Sequence, residues 1–165
     1  EGMISVDSQP NRGTTFKMLF SLVLDGKQSE QKDAPLITRG KGQRVLVVDD
    51  EPEILKAMQD LLEYLGYTPE LAANGKEGLE KYRDNPPSAV LMDINMPEMD
   101  GITCIEKILD NDPHANISIF SGYEEEGIEN MSQSAKDAIK DYLAKPVGLD
   151  ALSALLAEML KEKKK

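Results

Sequence analysis

The sequence predicts an α/β domain over residues 44–165: a doubly wound, open parallel sheet of five strands, with five helices on its two faces. Three observations predict it. Short, nearly continuous apolar runs recur along the chain, as strands covered on both faces require. Stripes of apolar residues at helical spacing separate them. The two patterns alternate, which favours crossover connections between parallel strands.

Each element has its own signal. The first run, Val45-Leu46-Val47-Val48, precedes Ile54, Leu55, Met58, Leu61, Leu62 and Leu65, which form one stripe of a helix. Gly66 suits the position just after that helix. A weaker run, Thr68-Pro69-Glu70-Leu71-Ala72, precedes a helix expected at about 75–84. Ala89-Val90-Leu91-Met92 precedes a stripe of Ile102, Ile105, Ile108 and Leu109. Ile117-Ser118-Ile119-Phe120 precedes a helix expected at about 124–138. Tyr142-Leu143-Ala144 precedes the last stripe, Leu152, Leu155, Leu156 and Met159.

Charge divides the chain. Of 165 residues, 30 are acidic and 19 basic, a net charge of −11. Residues 1–43 hold 5 acidic and 6 basic side chains, and residues 44–165 hold 25 and 13, so the acidity belongs to the second part. A remnant of another domain is expected at 1–24, and the polar stretch 25–43 reads as a linker. The acidity argues against nucleic acid and against an anionic membrane surface as partners. A single cysteine, Cys104, rules out an internal disulfide and fits a reducing compartment. No apolar run approaches the ~18 residues of a membrane span, and no signal peptide opens the chain. The first residue is Glu, so a piece of a longer protein is expected.

Sites in open parallel sheets lie at the carboxyl ends of the strands. There the first strand ends in Asp49-Asp50, the third in Asp93 with Asn95 close behind, the fourth in Ser121-Gly122 and the fifth in Lys145-Pro146. Each has a plain structural explanation. Asp50 has the spacing of a helix cap with Glu53, Asp93 and Ser121 could be turn residues, and Lys145 could be a surface lysine. Their common placement is what those explanations miss. Three gathered carboxylates repel unless a cation joins them, and an all-oxygen set suits Mg²⁺. A carboxylate, a hard cation, a lysine and a hydroxyl together describe phosphoryl transfer onto an aspartate.

Arg44-Val45-Leu46-Val47-Val48-Asp49-Asp50-Glu51-Pro52, Met92-Asp93-Ile94-Asn95-Met96-Pro97-Glu98-Met99-Asp100-Gly101 and Ala144-Lys145-Pro146 resemble the receiver domains of two-component response regulators. The resemblance covers residues 44–160 and implies a flavodoxin-like sheet of order 2-1-3-4-5. By it, Asp93 takes a phosphoryl group from a phosphohistidine. Asp49, Asp50, Asp93 and the Asn95 backbone carbonyl hold Mg²⁺, while Ser121 and Lys145 bind the phosphoryl group. The Lys145–Pro146 bond is expected to be cis. Tyr142 stands at an aromatic switch position, and Asn95 and Tyr123 are expected to tune hydrolysis.

The only histidine, His114, sits in a loop sequence with no acid after it, so the phosphodonor is expected on another chain or domain. Gly2-Met3-Ile4-Ser5-Val6-Asp7-Ser8, a turn, and Gly13-Thr14-Thr15-Phe16 resemble the last hairpin of a histidine-kinase ATPase domain, with Phe16, Met18, Phe20 and Leu22 alternating as in a strand. The whole then looks like the C-terminal end of a hybrid sensor kinase. It lacks an ATP site and donor histidine of its own, and a histidine phosphotransfer protein is the expected acceptor. A cytoplasmic location is expected. Two other functions compete. A haloacid-dehalogenase-type phosphatase wants Asp-x-Asp, where position 95 is Asn. A pure interaction scaffold leaves the complete set of acids, hydroxyl and lysine unexplained.

Overall fold

The computed structural model describes residues 2–10, 12–20, 37–122, 128 and 131–161. The chain forms two units, Glu1–Ala34 and Pro35–Lys165. In the first, β1 (Gly2–Gln9) pairs antiparallel with β2 (Gly13–Phe20), and Val6 faces Phe16 while Ile4 faces Met18. Gly13 supplies the positive φ that ends the turn. The alternation of Phe16 and Met18 follows the strand period. Leu22, read as part of the same alternation, lies outside the described residues.

The second unit is the predicted sheet. Its strands are β3 (Arg44–Val48), β4 (Thr68–Ala72), β5 (Ala89–Met92), β6 (Ile117–Ser121) and β7 (Tyr142–Ala144). All pairings are parallel and the order is β4-β3-β5-β6-β7, which is 2-1-3-4-5 within this unit. The helices are α1 (Pro52–Tyr64), α2 (Gly75–Asp84), α3 (Gly101–Asn111), α4 (Gln133–Ala138) and α5 (Leu149–Met159). Alternate strand residues feed two cores. Leu46, Val48, Val90, Met92, Ile117 and Ile119 pack against α2, α3 and α4. Val45, Val47, Ala89, Leu91 and Phe120 pack against Leu55, Met58 and Leu62 of α1 and Leu152, Leu155 and Leu156 of α5. Burial on both faces is why the strands read as unbroken apolar runs.

Capping sets where the helices begin and end. Asn74 accepts from Glu77 N while Glu77 accepts from Ala73 N, and this pair starts α2. Asp100 accepts from Thr103 N and starts α3. α1 ends as read, at Gly66 with φ +84, where Gly66 N donates to Glu63 O and Tyr67 N to Leu62 O. Its beginning differs from the capping explanation for Asp50: Glu51 occupies the cap position without a side-chain bond, and Asp49 Oδ1 accepts Glu51 N. The fourth helix is shorter than the expected 124–138. Ser132 caps Ala135 N, so the helix starts at Gln133, and Ile139 is already extended. Residues 123–127, 129 and 130 lie outside the described part of the chain.

Candidate functional site

Ends of four adjacent or nearly adjacent strand segments place the site. β3 delivers Asp49, which is fully buried, and Asp50, half-buried. β5 delivers Asp93, whose amide donates to Val48 O and whose Oδ1 accepts from Ile94 N at 2.9 Å. β6 ends in buried Ser121. β7 leads to Lys145, whose amide donates to Ser121 O, and the Lys145–Pro146 bond is cis.

Lys145 is the centre of charge. Its Nζ lies 2.6 Å from Asp49 Oδ2, 3.2 Å from Asp93 Oδ2 and 3.7 Å from Glu51 Oε1. It also sits 5.1 Å from the centroid of the Phe120 ring, a favourable position for a cation. Asp49 Oδ2 is buried and receives no well-aligned hydrogen bond, although the ammonium is within ion-pair distance. Asp49, Asp50 and Asp93 each offer a carboxylate oxygen, and these oxygens lie within 4.8 Å of one another. Three carboxylates gathered this closely, an all-oxygen set, fit a small hard divalent cation such as Mg²⁺.

Burial raises the Asp93 pKa above the ordinary carboxylate range; Lys145 pulls it back down, and Asp49 adds to the rise. For Lys145, burial acts to lower the pKa, but Asp49 and Asp93 outweigh it and the ammonium is held more firmly than usual.

The site opens into a cleft of about 280 Å³ lined by Asp50, Glu51, Asp93, Asn95, Ser121, Gly122 and Lys145. The structure thus gathers Asp49, Asp50, Asp93, Asn95, Ser121 and Lys145. Tyr142 is on β7, is 43% exposed, and does not line the cleft. Tyr123 lies outside the described residues. Two participants were missed in the sequence. Glu51 is given no role in the sequence analysis beyond its place in the stretch that carries the resemblance, though its position directly after two site aspartates is a signal. Gly101 closes the loop after Asp93: its amide donates to Ile94 O, and a Cβ there would meet Asp93 O at 1.9 Å. Its signal was the Asp100-Gly101 pair that begins α3.

Residues 45–157 match the family model described as the response regulator receiver domain. The chain belongs to that family. The receiver is similar to the chemotaxis protein CheY of Thermotoga maritima, 38% identical over 106 residues, covering 64% of this chain and 87% of that protein. It is also similar to the sensor kinase CckA of Brucella abortus, 31% identical over 174 residues, covering 98% of this chain but only 18% of the kinase. Among solved structures, the response regulator TrrA of Thermotoga maritima, in complex with Mg²⁺ and BeF, superimposes with a TM-score of 0.63 at 30% identity, covering 72% of this chain and 99% of TrrA.

The pKa of Asp93 in the receiver has a consequence for stability. Its folded value lies above its unfolded value, so between the two the folded state holds more protons. Stability conferred by this group therefore falls as pH rises through that window, and the cost is fully present above the folded value. Asp93→Asn is expected to raise the melting temperature at pH 7 in cation-free buffer. The gap between variant and wild type should narrow in acid and again on adding Mg²⁺ to the wild type. Calorimetric scans with and without the cation check this.

Proposed function

We propose that the receiver is the phosphoacceptor of a two-component phosphorelay, with Asp93 taking the phosphoryl group from the phosphohistidine of a histidine kinase. The observation that carries this reading is the ammonium of Lys145, its side chain 11% exposed, lying between Asp49 and Asp93, beside Ser121, in an open cleft. In the reaction an Asp93 carboxylate oxygen forms a bond to phosphorus as the bond from phosphorus to the donor imidazole breaks. Asp49, Asp50, Asp93 and the Asn95 carbonyl would hold Mg²⁺, which supplies charge neutralisation for the phosphoryl oxygens. Lys145 would exchange part of its pairing with Asp93 for the incoming phosphoryl group, and Ser121 would donate to one of its oxygens.

Phosphorylation adds negative charge and strong acceptors at this point. That draws on Ser121 at the end of β6 and Lys145 after β7, and Tyr142 on the intervening strand would change its exposure in response. Asn95 and Tyr123 would control water access to the acyl phosphate. The similarity to CckA runs through the hairpin as well as the receiver, which supports an origin at the C-terminal end of a hybrid sensor kinase. A histidine phosphotransfer protein is then the acceptor, and the cytoplasm the location. Among the described residues no helix is long and apolar enough to cross a membrane.

Incubation with acetyl phosphate and Mg²⁺ tests the reading. The intact mass should rise by one phosphoryl group, and neither Asp93→Asn nor chelator-treated protein should show the gain. A gain that survives Asp93→Asn would contradict it.

A further inference from the structure

We propose that residues 37–43 form a strap that couples the chain before them to the phosphoacceptor site through α5; the coupling rests on the function proposed above. The stretch is polar, but every second amide in it is used. Thr38 N donates to Ser153 Oγ at 2.8 Å and the same hydroxyl donates back to Thr38 O at 3.1 Å. Gly40 N donates to Leu65 O and Gly42 N to Gly66 O, at 2.8 and 2.9 Å. Between these, Arg39 donates to Tyr64 O and stacks over the Tyr64 ring at 4.9 Å.

The fit is close. Ser153 is 1% exposed, a hydroxyl on the buried side of α5 whose partner is the strap. A Cβ at Gly40 would lie 2.5 Å from carbons of the Tyr67 ring, and that ring is itself buried. Thr68 N donates to Gln43 O, and the strap runs without a break into β3.

The strap therefore holds both segments that carry the central ion pair. β3, at its far end, leads to Asp49. Only Val147 and Gly148 separate Lys145 and Pro146 from α5, whose Leu152, Leu155 and Leu156 share a core with Phe120, the ring under the Lys145 ammonium. A displacement carried along the chain before Ile37 reaches α5 first and the 2.6 Å contact between Lys145 and Asp49 next. Because coupling between sites is reciprocal, ligation at Asp93 must alter the strap in turn.

Amide exchange in the full chain, read residue by residue by NMR, tests this with Mg²⁺ and beryllofluoride as the phosphoryl stand-in. Exchange at Thr38, Gly40 and Gly42 should change by about fivefold or more on adding the probe. Ser153→Ala, acting from α5, and Gly40→Ala, acting from the strap, should each speed Thr38 exchange by about tenfold and shift beryllofluoride affinity. If the probe binds and the strap amides do not respond, or if both variants release the strap and leave affinity unchanged, the strap is merely structural and the proposal is overturned. A missing bound fluorine signal in the wild type overturns the phosphoacceptor reading itself, and the coupling with it.

Discussion

Lys145→Met is expected to cost about 3–5 kcal/mol of folding stability in cation-free buffer, because it leaves buried carboxylates without their counter-charge. Asp49 is fully buried and Asp93 nearly so, and Lys145 is the ammonium within ion-pair distance of both. Methionine keeps an unbranched apolar chain near the Phe120 ring, so the loss reports charge rather than a cavity. Two compensations should be visible. Mg²⁺ at about a hundredfold excess over its dissociation constant adds about 2.7 kcal/mol, and it should recover much of the loss. Adding Asp93→Asn to the variant should also recover part of it, since one of the repelling charges is gone. Urea unfolding of the single and double variants, with and without the cation, measures all of this. A loss below about 1 kcal/mol would mean that the pair behaves as an exposed one.

Gly101→Ala is expected to destabilise the fold by about 3 kcal/mol and to impair the site more than the fold. A Cβ there would meet three backbone atoms: Asp93 O at 1.9 Å, Asp93 C at 2.8 Å and Ile94 Cα at 2.9 Å. No flexible side chain can give way, so the backbone that carries Asp93 must move. A displacement of about 1 Å at a reacting group can cost on the order of a hundredfold in rate. Gly122→Ala, also in the cleft, is the comparison, because among the described residues nothing lies within 4 Å of a Cβ at that position. Thermal unfolding and the rate of labelling by acetyl phosphate separate the two effects. Equal behaviour of the two alanine variants would contradict the close-approach account.

Most of the fold was legible because its strands are buried on both faces and its helices on one stripe, so local periodicity carries the information. Val45–Val48 and the stripe from Ile54 to Leu65 are of this kind, and Gly66 ends its helix where expected. α4 was not: one turn and a half, started by Ser132, leaves too few apolar positions to show a period. The site was legible through its chemistry, since an acid pair, a lone acid, a hydroxyl and a lysine at four strand ends had no shared structural explanation. Its supporting geometry was hidden. Gly101 matters for a contact with the backbone of Asp93 that no spacing reveals. The strap matters through Thr38 and Ser153, 115 positions apart, joined by backbone and hydroxyl groups that leave no apolar pattern. Polar composition alone made those residues resemble a linker.

The central claim is that Asp93 is the residue that takes the phosphoryl group. Borohydride reduces an acyl phosphate to an alcohol, so reduction of the chain after treatment with acetyl phosphate and Mg²⁺ converts the phosphorylated aspartate to homoserine. Peptide mass mapping then reads the position directly. The account predicts homoserine at residue 93 and unchanged aspartate at residues 49 and 50. Homoserine at either of those positions, or none at residue 93 in protein shown to carry the phosphoryl mass, would contradict it.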